Sequence, residues 1–580
     1  MKLFKLLFLL SLFFASLGNG LAADREAFTF TNYALDLRIE PAQQRLEARG
    51  KITLRNDSRS PQKDVFLEIS STLDWRSIRV GGKPMQFVSQ PYTSDIDHTG
   101  SLSEAIVSLP DAVPPKATIE LEVGYEGVVR LDATRLTRIG VPKSEANDSD
   151  WDQISPAFTA VRGIGYVVWY PVATESANLS EGNNLFETLG RWKAREAHAT
   201  MQVTLCSLTD NASSTTALMN DPPRPAVHGT GTDGSTGELT NCGEHVFRPL
   251  RETVPAFILA NYSLLDRQEI AVHYLPGHQS AAGDYALAAD LATPFVKQWF
   301  GSPRHKVNVS ELADPNAAPF ESGNLLLTPL TTSADSRLEQ MTVVHQLTHA
   351  AFPSPRPWIY EGLAHFAQAV YRERQSGRQA ALDFMGLHRT AVADVEKSLA
   401  AHPTPNEPAS ESLINTSLQE FYRSKAMYVW WMLRDMVGET ALKKALASYR
   451  PEQDKDPAYV ETLIEAQSKK DLEWFFDDWV YRDRGLPDFR VTSVFPRQLL
   501  GKGYLVTITV ENIGGAAAEV PVTLSLEGGE VTKRLQVPAR GTASVRIEAP
   551  NMPQQVVVND GSVPESDYGN NTYQVHAAAK

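Results

Sequence analysis

The sequence predicts a multidomain α+β protein with a β-rich N-terminal part, a mainly helical centre and a β-rich C-terminal part. Three observations predict it. Up to about residue 263, apolar and polar residues alternate in short runs separated by Pro, Gly, Asn and Asp, the pattern of half-buried strands joined by turns. Between about 264 and 486, apolar residues recur three or four apart, which is helical spacing. From Pro487 to the end the alternation returns. The 580 residues suffice for three or four domains at ~100–200 residues each.

The chain opens with Lys2 and Lys5, an apolar run from Leu6 to Leu17, and then Gly20-Leu21-Ala22-Ala23. This is the charged, apolar and small-residue order of a secretory signal peptide over residues 1–23. A retained N-terminal anchor is the alternative. No later run reaches the ~18 apolar residues of a membrane span, so no transmembrane segment is expected after signal removal. No cysteine stands near the cleavage position to carry a lipid. The expected location is therefore secreted or periplasmic.

Residues 24–263 form the first expected domain. The runs at 29–39, 46–54 and 118–125 alternate cleanly and predict antiparallel sheets in a sandwich or saddle. Residues 211–241 are rich in Ser, Thr, Gly and Pro and read as a long surface loop. Cys206 and Cys242 are the two cysteines of the chain, and in an exported protein they are expected to pair. Two cysteines cannot make a Cys-rich zinc site.

Residues 264–486 form the second. Tyr285 to Phe300 predicts an amphipathic helix stopped by Gly301, and Phe320-Glu321-Ser322-Gly323 predicts a glycine turn into a short apolar strand. Leu338, Met341, Val344 and Leu347 mark a helix opened by a capping box, Ser336 with Glu339, and stopped by Phe352-Pro353. On it His345 and His349 are four apart, so both imidazoles leave one face and can grip one metal ion. A second helix starting near Trp358 carries Glu361, twelve positions after His349, as a third ligand type suited to zinc. Two satisfied core or surface histidines are the alternative. Ser417 with Glu420 opens a helix running to Gly438, and Asp471 to Arg484 predicts a last helix.

Residues 487–580 form the third, a small β-sandwich of about immunoglobulin size, with Gly-Gly pairs at 514–515 and 528–529 between strands. The net charge of −14 gives no basic footprint for nucleic acid.

Taken together, these motifs resemble the aminopeptidase N family of zinc metallopeptidases, in the gluzincin group. His345-Gln346-Leu347-Thr348-His349 resembles its zinc helix, and Trp358 to Ala364 its third-ligand helix. Phe320-Glu321-Ser322-Gly323 resembles the strand whose Glu binds a substrate's amino terminus. Tyr422 to Ala426 resembles the helix carrying the tyrosine that stabilises the tetrahedral intermediate, and 471–482 resembles the close of the catalytic domain. The resemblance covers roughly residues 30 to 486, in the family's order. It implies a thermolysin-like centre, while the family's large C-terminal helical domain is absent, with the immunoglobulin-like β-sandwich in its place as a departure from the pattern. It also implies one Zn(2+) per chain held by His345, His349 and Glu361, substrate binding by Glu321 and catalysis involving Tyr422.

Four departures from the pattern stand out. Gln346 occupies the place of the catalytic Glu, which takes a proton from the attacking water. An amide has no useful basicity, and losing a general base costs roughly 10²–10⁴-fold in rate. Glu339, seven residues earlier, lies about 10 Å away along the helix and cannot replace it. The spacer from His349 to Glu361 is short, Tyr422 is one residue out of register with Lys425, and Ala426 replaces a Gly. Three functions compete. One is an exported zinc peptidase hydrolysing peptide bonds near a free amino terminus, with activity weakened at Gln346. Another is an inactive pseudopeptidase that binds peptides or protein partners through the zinc cleft. The third is a structural or adhesive exported protein.

Overall fold

A computed structural model describes residues 24–93, 101–138, 140–163, 167–172, 195–208, 215–221, 229–232, 239–251, 253–332, 335–401, 412–416 and 418–575. The expected signal peptide lies outside them.

The N-terminal part is built on an eight-stranded sheet faced by a three-stranded one. Along Phe28–Glu40 the side chains of Leu35, Leu37 and Ile39 are buried, while Asp36 and Arg38 point away, so the alternation maps directly onto the two faces. These residues share one buried cluster with Leu67, Ile69 and Val107 of the smaller sheet. The sheet is not wholly antiparallel as expected: Phe28–Glu40 pairs in parallel with Thr200–Leu208, with Leu35 opposite Val203. Alternation has the same period in either direction, so the sequence is blind to this. Residues 211–241 are not one loop either. Thr216–Met219 pairs with Phe257–Ala260, and Gly229–Thr232 pairs with Leu239–Phe247. Threonine-rich segments take strand geometry readily once a partner is available. Cys206 and Cys242 lie opposite each other on neighbouring strands and form the expected disulfide.

The centre contains a sheet that the sequence announced by one short strand. Its order is Ser263–Asp266, Ile270–Tyr274, Val307–Glu311, Leu325–Thr328, Phe320–Ser322, with two parallel pairings inside. Short buried strands read as brief apolar runs without alternation, which hides them among helices. Gly323, at φ 61°, turns the chain from Phe320–Ser322 into Leu325–Thr328. The helices are α1 (Gln279–Phe300), α2 (Ser336–Ala351), α3 (Pro357–Ser376), α4 (Arg378–Gly386), α5 (Arg389–Ala401), α6 (Ala426–Val437), α7 (Glu439–Ser448) and α8 (Tyr459–Ser468).

Several helix boundaries differ from expectation. Helix α1 begins at Gln279, before Tyr285. The cap of α2 is Asp335, whose carboxylate accepts from the Arg337 amide, so Ser336 lies inside the helix. Leu338 is 65% exposed and joins no core. The helix expected from Ser417 begins as a π-helix, Glu420–Lys425, before α6; Ser417 itself lies outside the described residues. The last helix ends early, as Glu473–Phe476 followed by a π-turn Asp477–Tyr481.

Packing fixes α3 between α2 and α6. Trp358 and Trp430 are fully buried and stack with centroids 5.1 Å apart. A Cβ placed on Gly362 would lie 2.6 Å from the Ala426 Cβ and 3.2 Å from the Trp430 ring, so only the missing side chain allows this approach. The C-terminal sandwich pairs a three-stranded and a four-stranded sheet and continues the same buried cluster. Trp479 donates to the Ala517 carbonyl at 2.7 Å across the junction. Among the described residues no helix is long and apolar enough to cross a membrane.

Gly362→Ala is expected to lower stability by about 1–3 kcal/mol, because the added methyl must force α3 and α6 apart. Urea unfolding of native and variant chains measures it; unchanged midpoints would show that this contact is not tight.

Candidate metal centre

The helical register of α2 places His345 and His349 one turn apart, with Nε2 atoms 3.0 Å from each other. Helix α3 brings Glu361 to face both. Its Oε1 lies 3.7 Å from His349 Nε2 and its Oε2 lies 3.9 Å from His345 Nε2. Tetrahedral coordination with bonds near 2 Å sets ligand atoms about 3.3 Å apart. These three donors converge at that scale. Two neutral imidazoles aimed nitrogen to nitrogen can share one proton at most, whereas a cation between them satisfies both lone pairs. The chemistry and the spacing of the set fit zinc. Burial, then the neighbouring His349, push His345 down to about 3, and burial pushes His349 well below its usual range. Both are therefore neutral at pH 7, the state that binds metal.

The surroundings hold this set in place. Gln368 donates to the Met341 carbonyl at 2.9 Å, so α3 clamps α2. The Tyr360 ring lies against His349 with centroids 3.9 Å apart. The Nδ1 of His349 is buried with no partner among the described residues. His365 packs its ring 4.8 Å from that of His345 and stays outside the donor set.

Gln346 is buried on the same helix. Its oxygen accepts from the Tyr285 hydroxyl at 2.7 Å, while its amide nitrogen has no partner among the described residues. The Gln346 side chain acts on Glu321, which places the amide beside that carboxyl. Burial, then the Glu361 carboxylate, push Glu321 up to about 8. Glu321 sits on the edge strand Phe320–Ser322, and Tyr360 donates to its carbonyl at 3.4 Å. The structure thus brings Glu321, Gln346, His345, His349 and Glu361 into one cleft. Tyr422 is buried at its wall. Burial pushes its phenol up to about 12, and the charges of Arg423 and Glu361 both act on it.

The sequence reading passed over two contributors. Tyr285 holds Gln346, and nothing in an amphipathic helix marks it. Arg423 donates from Nε to Glu361 Oε2 at 3.2 Å. Its signal was present: it is a cation one position after the tyrosine that was singled out.

No protein-family model matches the sequence, and no curated protein matches it either. Among solved structures the fold is similar to that of the M1 zinc metallopeptidase from Deinococcus radiodurans, solved as a mutant, with a TM-score of 0.52. The match covers 80% of this chain and 96% of that one at 16% identity. The likeness is one of fold, and the candidate site lies where α2, α3 and the edge strand of the central sheet meet.

An unfolded chain protonates its histidines below about pH 6.5. Folded His345 stays neutral down to about 3. The unfolded state binds more protons in that window, so this residue makes stability rise with pH from about 3 to 6.5. In metal-stripped protein, His345→Ala is expected to show a shallower rise in urea midpoint over that range. Parallel pH curves would contradict the assignment.

Proposed function

We propose that the chain is an exported zinc metallopeptidase of the aminopeptidase N type, hydrolysing peptide bonds near a free amino terminus, with turnover weakened by Gln346. The observation that carries this reading is the convergence of His345, His349 and Glu361 donors on one point. The likeness in fold to an M1 zinc metallopeptidase supports it. Residues 1–23 are the signal peptide in this reading, 24–263 the N-terminal β domain, 264–486 the catalytic domain and 487–580 the C-terminal sandwich.

His345, His349 and Glu361 would hold one zinc ion per chain. Bound there, zinc supplies a Lewis acid for the scissile carbonyl and for water. The chain's own groups do the rest. Glu321 receives the substrate's amino end. Tyr422 donates its phenolic proton in a hydrogen bond to the developing oxyanion. Gln346 presents N–H donors and orients what lies in front of it, but takes up no proton.

A second reading follows from that last point. With Tyr285 occupying its oxygen, Gln346 is ordered as a donor, which suits a pseudopeptidase that holds peptide ends or protein partners without cutting them.

Purified chain is expected to carry about one zinc by metal analysis, and His349→Ala to lose it. Gln346→Glu is expected to raise chelator-sensitive cleavage of aminoacyl and peptide substrates by roughly 10²–10⁴-fold. Equal activity in the two chains would refute the missing-base account. Zinc without cleavage in either chain would leave the binding reading.

A further inference from the structure

We propose that Arg423 anchors a carboxylate of the substrate, so that the cleft takes peptides with a carboxylate close to the group held at the metal position. The inference rests on the zinc-cleft reading and narrows its substrate class.

Arg423 is the one residue from Phe421 to Arg434 that is not buried, and its side chain, paired with Glu361, is 42% exposed. Its Nε is committed to Glu361, and its Nη1 donates to the Gln419 oxygen at 3.3 Å. Its Nη2 has no hydrogen-bond partner among the described residues. The guanidinium is thus held through two of its nitrogens, and the N–H groups of Nη2 remain to meet a ligand. Its charge reaches His345, His349, Glu321 and Tyr422 as well as Glu361, which makes it the cation common to the whole cleft.

Charge balance points the same way. Glu361, the partner of Arg423 Nε, is itself one of the three converging donors. The remaining acidic group that acts on Arg423 is Glu321, and no hydrogen bond joins them. A planar fork with free N–H groups beside a cation site is the natural receptor for a carboxylate. The chain as a whole carries −14 and repels anions, so any preference for a carboxylate must originate locally. The π-helix Glu420–Lys425 turns the chain so that Arg423 opens to the cleft while Tyr422 and Ser424 stay buried.

The test is calorimetric binding to the full chain supplied with zinc. The probes are N-acetylated trialanine with a free C-terminal acid, the same peptide as its amide, and N-acetyl Ala-Glu-Ala amide. The free acid is expected to bind about tenfold or more tighter than the trialanine amide, the scale of one charge-assisted hydrogen bond. If the acidic side chain is the true source, the glutamyl amide gains instead. Arg423→Gln is expected to erase the discrimination, and Arg423→Lys to keep part of it. Equal or absent binding of all three peptides to the native chain overturns the proposal, whatever the variants do. So does a preference that survives Arg423→Gln. Metal analysis of the same samples separates the two readings. Discrimination without zinc sinks the peptidase reading and leaves the anchor. Zinc without discrimination does the reverse. A purely structural role of Arg423 would change zinc content and leave peptide discrimination intact.

Discussion

The site depends on one close contact, the seating of α3 against α6 at Gly362. Histidines four apart on a helix need nothing but the helix to share a face. The third donor has no such guarantee, because it comes from another element. Trp358 stacks on Trp430, Ala426 fills the space a side chain at 362 would need, and Glu361 is thereby turned toward α2. Gln368, two turns further along the same face of α3 as Glu361, ties α3 back to the Met341 carbonyl. The carboxylate is held from both sides, and so its position relative to His345 and His349 is a property of packing.

Around that set the cleft is poor in solvent and rich in uncompensated polarity. Burial keeps both imidazoles neutral and raises the Glu321 carboxyl, while Arg423 supplies the balancing positive charge. The amide at position 346 fits this economy. A third carboxylate beside Glu321 and Glu361 would add repulsion that a metal has to offset. The amide adds none, and Tyr285 can donate to it. An amide at this position takes up no proton from water.

The reading of the sequence was strongest where a local rule governs the outcome. The register of His345 and His349, the stop at Phe352, the glycine turn at Gly323 and the Cys206–Cys242 pair all follow from short-range geometry or from compartment chemistry. It was weakest where two distant segments compete for the same residues. The parallel pairing of Phe28–Glu40 with Thr200–Leu208 leaves no trace in alternation. The five-stranded sheet is assembled from runs too short to show a period. The cap at Asp335 displaced the Ser336 box because the helix begins one residue earlier than the motif assumed.

What the sequence determined by itself is the type and spacing of the groups: two imidazoles on one helical face, a carboxylate on the next helix, an amide where a base is expected, and β-rich parts on either side. These follow from covalent order and from the helical repeat. The tertiary structure decided which groups meet. It placed Glu321 beside Gln346 by putting Phe320–Ser322 on the sheet edge, and it opened Arg423 to the cleft through a π-turn that buries its neighbours. The physical reason is that side-chain meeting points across elements are set by packing volume and backbone closure, which no periodicity along the chain encodes.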